Sequence, residues 1–261
     1  MFDAHSNEGL AELLIPAWLA GVRIGGLMLF CPFFGSPASA APVKAALAVA
    51  LTLVLYPAYS LPRGALPTPG RLPMAIVGET VLGLGIGLAM QIFFEAAQVA
   101  GQLLGVQTGF AVASIFDPQS QADSPVLVVF NQIAVTLIFL SLNVHHALLR
   151  VLGKSFSDSP LGSFSLHPLW AGFLLHNACS IWEIGLQIAA PVMAATLMAD
   201  VAMGFLARAA PQLPVLFLGV SVKNLLGISV LAATLRLWPP LWQAHFEQGI
   251  VWAERLAHLA R

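Results

Sequence analysis

The chain has 261 residues, 58% of them hydrophobic and only 9% charged, with a mean hydropathy of +0.85. A soluble domain carries about 25% charged residues, so this chain has too little charge to coat a globule of its length and reads as a membrane protein. Its net charge of −1 argues against nucleic acid as a partner. Met1 to Glu12 carries Asp3, Glu8 and Glu12 and no Lys or Arg. A signal peptide opens with positive charge, so the apolar stretch that follows is expected to be retained.

Six apolar segments follow in order: Leu13–Phe34, Val43–Leu61, Met74–Gly105, Val126–Leu142, Leu169–Met198 and Leu213–Trp238. A span needs about 20 apolar residues, and several of these qualify by length. Arg23, Lys44, Glu79, Glu95, Glu183, Asp200 and Lys223 lie inside or at the edge of them. Each such charge costs roughly 2.5–3.5 kcal/mol on insertion scales, so the segments are expected to face each other, water or other subunits rather than bare lipid. Prolines punctuate the map. Pro32, Pro37 and Pro42 bracket the first connection, and Pro57, Pro62, Pro67, Pro69 and Pro73 fill the second. Pro191 is expected to break Leu169–Met198 in two, Pro211 and Pro214 make the next turn, and Pro239 and Pro240 end the last long segment. The tail, about 241–261, reads as an amphipathic helix suited to an interface or a partner surface. We expect one domain over 1–261. Loop charges conflict over topology: the acidic N-terminus favours the outside and Arg236, Arg255 and Arg261 the inside, while Lys44, Arg63 and Arg71 fall on successive connections. Short or re-entrant hairpins would remove that conflict.

Four features stand out within the segments. Gln91, Glu95, Gln98 and Gln102 recur at i, i+4, i+7 and i+11 on Met74–Gly105, in a wedge of about 60°. Such a stripe is either internal packing or, the favoured reading, a subunit contact or pore wall. Gly21/Gly25, Gly83/Gly87 and Gly101/Gly105 have the GxxxG spacing that lets helices approach closely. Asp200 and Arg208 are two turns apart, too far to pair, whereas Lys223, deep in Leu213–Trp238, needs a carboxylate: Asp200 or one from a partner. A structural ion pair is the favoured reading, with a proton or ion relay as the sharper alternative. Between Gly109 and Pro125 runs a polar loop, GFAVASIFDPQSQADSP, whose Phe110 and Phe116 must pack on something other than water.

Other chemistry finds little support. Cys31 and Cys179 lie in apolar runs with no CxxC and read as small buried hydrophobes. His145 and His146 are adjacent, about 100° apart on a helix, and make a poor metal pair; hydrogen bonding at a helix end is favoured. Gly83 to Gly87, GLGIG, lacks the strand and third glycine of a nucleotide loop. No GxSxG elbow, HExxH or catalytic carboxylate pair occurs. We therefore expect no enzyme, no catalytic residues, no metal and no cofactor.

The chain resembles the FliR family of flagellar biosynthetic proteins, the R-type export gate subunits of type III secretion systems (T-type in virulence systems). The resemblance is carried by RIGGLMLFCPFFG from Arg23, the Pro42 and Lys44 turn, GFAVASIFDPQSQADSPVL from Gly109, and NVHHALL from Asn143. Asp200, Gly204, ARAAPQ from Ala207 and Gly219 to Lys223 complete it. Val144, Pro214 and Ser221 stand where that family usually has Gly, Asn and Pro, which bears on the turn geometry near Lys223. SQADSP looks flagellar rather than virulence-type.

The resemblance implies an all-α fold of integral-membrane-like helical hairpins assembling into a hetero-oligomeric helical export gate in the inner membrane, at the flagellar basal body. Its partners would be the P and Q subunits, the B-type switch protein, the A-type export protein, unfolded export substrates and membrane lipid. The loop at about 106–123 would plug the gate, with Gly109, Phe110, Phe116, Asp117 and Pro118 forming it. Arg23, Lys44, Glu79, Gln91, Glu95, Gln98, Gln102, Asp200, Arg208 and Lys223 are expected as subunit-contact or buried polar residues. The alternatives are a virulence-type homologue and a stand-alone ion-coupled transporter using Asp200 and Lys223.

Overall fold

The computed structural model describes residues 4–31, 40–55, 70–110, 126–164 and 168–260. Among them the fold is all-α, with no strand. The helices are α1 (Ala4–Phe30), α2 (Ala41–Val54), α3 (Leu72–Thr108), α4 (Val126–Ser141), α5 (Val144–Asp158), α6 (Pro168–Ala178), α7 (Ser180–Ala209), α8 (Val215–Thr234) and α9 (Trp238–Leu259). Proline sets several starts, as its fixed φ and missing N–H allow only in a first turn. Pro42 opens α2, Pro214 precedes α8, and Pro239 and Pro240 lie in the first turn of α9 after a short 3₁₀ turn, Leu235–Leu237.

Leu72–Thr108, Leu169–Ala209 and Phe217–Leu259 are long and apolar enough to cross a membrane, and Val126–Ser141 with Val144–Asp158 supplies a fourth span if that bent pair counts as one. At 37 residues, α3 is about 55 Å long. It runs on to Thr108, through the first three residues of the stretch expected to be loop.

Two expectations change here. Leu169–Met198 does break, but at Cys179 between α6 and α7; Pro191 lies inside α7. One missing N–H is tolerable in an apolar helix whose neighbours absorb the local adjustment. Cys31 is buried as expected, whereas Cys179, at that break, is exposed. Helix α5 has no counterpart among the apolar segments because it is amphipathic: Leu148, Val151, Leu152 and Phe156 are buried while Arg150 and Lys154 are exposed.

The chain forms two compact units. The first takes residues 1–92, 143–178 and 246–261. On α1 the buried residues Leu19, Ala20, Arg23, Ile24, Leu27 and Met28 form one stripe at helical spacing, with an arginine in its middle. Helix α1 meets α3 across glycines. A Cβ on Gly87 would stand 2.7 Å from the Leu27 carbonyl oxygen, one on Gly26 would stand 2.9 Å from that of Thr80, and one on Gly83 would collide with that of Arg23. No side chain larger than hydrogen fits between backbones this close. Gly25, one of the glycines singled out by spacing, has nothing within 4 Å of its Cβ position. The contact uses its neighbour Gly26 instead. The end of α5 is fastened to α9 by Lys154–Glu254 (3.3 Å) and Asp158–His258 (3.6 Å), each one helical turn from the other.

The second unit takes residues 93–142 and 179–245. Phe94 and Phe139 pack edge to face at 5.5 Å between ring centres, an arrangement favoured by the ring quadrupoles. Gly101 lets α3 approach α4, with its Cβ position 2.6 Å from Val128 Cα. Helix α7 buries a single stripe, Ile184, Ile188, Val192, Thr196 and Ala199, and pairs with α8 as a hairpin. The outer faces of that hairpin stay apolar and exposed, including Trp182, Met198, Phe205, Phe217 and Leu225.

Candidate functional site

The polar residues within apolar helices fall into three groups. The first centres on Arg23, which is wholly buried, as is Glu79. Arg23 Nε donates to Glu79 Oε2 at 2.5 Å. Its Nη1 donates to the Ser155 carbonyl (2.9 Å) and Oγ (3.1 Å), and its Nη2 to the Ser159 carbonyl (2.9 Å). The other Glu79 oxygen accepts the Gly162 N–H at 2.8 Å. The Phe156 ring lies 4.7 Å from the guanidinium carbon, a cation–π distance. The charge thus sits at the C-terminal end of α5, where the helix dipole is negative; the Ser155 carbonyl accepts from Arg23 as well as from the Ser159 N–H. Gly162 adopts φ +78°, a left-handed value suited to glycine, as its N–H meets the carboxylate. The residues flagged as costly therefore neutralise each other. Ser155, Phe156, Ser159 and Gly162 were not foreseen: nothing in their local sequence points to partners that lie 83 positions away for Gly162 and 132 and 136 for Ser155 and Ser159.

The second group lies on the α7–α8 hairpin. Lys223 Nζ donates to Asp200 Oδ2 at 2.9 Å, the within-chain mate named from sequence. Here the lysine side chain is 18% exposed and the carboxylate 47%. Arg208 is exposed in the last turn of α7, where a cation complements the helix dipole.

The third group is the stripe on α3. Gln91, Glu95 and Gln98 are half-buried and Gln102 is exposed, among neighbours such as Phe93, Phe94, Ala97 and Leu104 that are fully buried. This stripe is therefore the least covered face of the second half of α3. Where α3 ends, Gly109 turns the chain with φ +84°, and a Cβ there would stand 3.2 Å from Val220 Cγ1 of α8. Phe110 is half-buried. Phe116, Asp117 and Pro118, the rest of the expected plug, lie outside the described residues. Lys44 is half-buried in the first turn of α2. His145 and His146 occupy the first turn of α5 with ring centres 4.1 Å apart, just after Asn143, which adopts φ +55°.

Among the described residues this arrangement offers a buried electrostatic pin, an accessible ion pair and a polar stripe on a membrane-type scaffold. The sequence profile of the bacterial export proteins, family 1, matches residues 14–249. The chain belongs to that family. Among its relatives, the flagellar biosynthetic protein FliR of Escherichia coli K12 is 29% identical over 249 residues, covering 95% of this chain and 94% of that protein. The FliR of Pectobacterium carotovorum is 32% identical over 231 residues, 87% of each chain. That of Bacillus subtilis is 30% identical over 215 residues, 80% of this chain and 82% of its own length. For this bacterial export protein, Arg23, Glu79, Asp200 and Lys223 all fall inside the matched region.

Proposed function

We infer that this bacterial export protein is a subunit of the flagellar protein export apparatus, embedded in the membrane through its long apolar helices. The observation that carries this reading is the family match over residues 14–249, with FliR relatives aligned along most of their own length. The role is structural rather than catalytic. Its site is the bacterial inner membrane at the flagellar basal body, where it joins P and Q subunits into a gate, with the B-type switch and A-type export proteins as further partners. The chain acts there as one gate domain, and unfolded export substrates pass the channel that it helps to form and seal.

Within that gate the α3 stripe contacts neighbouring subunits. What supports this is the position of Gln91, Glu95, Gln98 and Gln102 on the least covered face of the second half of α3, where polar side chains on an apolar helix suit contact with another helix. The loop at about 106–123, entered through Gly109, is the plug. Phe110 and Phe116 seal it while Asp117 and Pro118 shape the turn.

Co-expression of the tagged chain with P and Q subunits, followed by native mass spectrometry in mild detergent, tests the assembly. A large complex with one copy of this chain is expected; a lone or homo-oligomeric species would favour a self-sufficient transporter instead. The Glu95→Ala variant is expected to lower recovery of the P and Q subunits. Unchanged recovery and export would make the stripe internal packing. Replacing Phe110 and Phe116 together by Ala is expected to raise ion leakage through the assembled gate, and unchanged leakage with normal assembly would remove their sealing role.

A further inference from the structure

Within the first compact unit, α5 and the second half of α9 pair as two amphipathic helices. Leu148, Leu152 and Phe156 of α5 and Phe246, Trp252 and Leu256 of α9 are buried. The opposite faces carry Arg150 and Lys154 on α5 and Glu247, Arg255 and His258 on α9, all exposed. Of the large apolar residues of α9, only Val251 is exposed. The seam is zipped in parallel register: Lys154 meets Glu254 at 3.3 Å, and four residues further along each helix Asp158 meets His258 at 3.6 Å. Arg150, one turn before Lys154, and Arg255, next to Glu254, have no ion-pair or hydrogen-bond partner among the described residues. Helix α8 shows the opposite surface. Phe217, Leu225 and Ile228 are exposed, and its one cation, Lys223, is paired with Asp200.

We propose that the α5–α9 face stands in water when the chain is in its membrane, and that α8 alone makes the crossing within the apolar stretch Phe217–Leu259. By length and composition that stretch of 43 residues passes as a single span, yet a span needs only about 20. Helix α8 supplies 20 residues, about 30 Å of helix, which is the thickness of the hydrocarbon core. The 22 residues of α9 are surplus to it. Their apolar side chains raise the hydropathy of the stretch but are directed into the protein, so lipid would meet the charged face instead. An unpaired guanidinium is costly in hydrocarbon. A covering protein is disfavoured too, because it would strip water from two arginines and two ion pairs that bring it no complementary excess of charge. Water satisfies all of them. By the same reasoning α5 does not complete a span with α4. The inference rests on the membrane placement of the chain and not on its role in export.

The test uses membrane vesicles holding the full chain co-expressed with P and Q subunits, opened by freeze–thaw so that a solute reaches both sides. They are treated with a charged, membrane-impermeant maleimide. The variants are Arg150→Cys, Arg255→Cys and, as the lipid-facing control, Leu225→Cys, each combined with Cys31→Ala and Cys179→Ser. The thiolate is the reacting species, and it forms in water rather than in hydrocarbon. Arg150→Cys and Arg255→Cys are expected to react about tenfold faster than Leu225→Cys, or more. A rate for either variant equal to that of Leu225→Cys, or reaction only after detergent is added, overturns the proposal. If these variants do not accumulate, the unaltered chain is treated with a water-soluble phenylglyoxal and its modified arginines are identified by mass spectrometry. Arg150 and Arg255 are then expected to be modified while the buried Arg23 is spared; either one spared as fully as Arg23 overturns the proposal. Co-purification of the P and Q subunits from the same vesicles is read separately. Their absence would sink the export reading without moving the labelling result, and slow labelling with the subunits present would sink the aqueous face alone.

Discussion

Two ion pairs in this chain have the same chemistry and opposite surroundings. Arg23 and Glu79 are shut off from solvent, and every donor direction described for the guanidinium ends on an acceptor of the same compact unit. Lys223 and Asp200 meet at 2.9 Å on a hairpin whose carboxylate is nearly half exposed and whose outer faces are apolar. Desolvating two charges is repaid only when geometry and extra hydrogen bonds are complete. The first pair meets that condition within the chain and is a structural pin. The second leaves capacity for whatever covers the hairpin.

The sharpest way to break this contrast is at the pin. Removing one partner, by Arg23→Met or Glu79→Gln, is expected to destabilise the protein by about 3–5 kcal/mol, because a buried charge or its acceptors are left uncompensated. The Arg23→Met/Glu79→Leu double variant should be less damaged than Arg23→Met alone. Thermal unfolding in detergent measures both, and a double variant as unstable as the sum of its parts would deny the pairing.

Next in size, Gly83→Ala forces a methyl group against the Arg23 carbonyl and is expected to cost about 1–3 kcal/mol by overpacking. Gly25→Ala, on α1 with no described atom within 4 Å of its Cβ position, should be nearly neutral. Equal effects on the melting temperature would show that the α1–α3 crossing is looser than described.

The smallest effect on stability belongs to the exposed pair. Lys223→Ala should change it by about 0–1 kcal/mol, yet lower recovery of the assembled apparatus several-fold. Exchanging the residues, Asp200→Lys with Lys223→Asp, should restore assembly if the pair serves only itself. If the exchanged pair stays defective, one of the two charges meets a neighbouring subunit.

These residues also show what was legible before the structure. The all-α membrane character followed from composition, and the apolar segments matched real helices because hydrophobic runs of this length have few other fates. Asp200 was named as a mate for Lys223, beside a carboxylate from a partner, because a charge deep in an apolar helix seeks an opposite one. Arg23 and Glu79 were recognisable as expensive. Their union with Ser155, Ser159 and Gly162 was not, since it depends on which distant helices meet. Helix α5 escaped notice for a related reason: half its surface is polar, and a search for continuous apolar runs passes over it. Pro191 misled because a rule about single helices ignores the support of a packed partner. At the α1–α3 crossing, the GxxxG template drew attention to Gly21 and Gly25 while the contact falls on Gly26. The export reading came from the order of motifs along the whole chain.

The reach of Arg23 also sets a clock. Its acceptor at Ser155 is 132 residues downstream. At a synthesis rate of about 5–20 residues per second, roughly 7–26 s separate the two on the ribosome. Until then two of the guanidinium's nitrogens need water or a temporary host, even once Glu79 has emerged, so α1 cannot settle into its final place when it first emerges. The nascent chain holds its first helix in reserve, and a product truncated before Ser155 could pair Arg23 with Glu79 but would leave its Nη1 and Nη2 donors without the acceptors at Ser155 and Ser159.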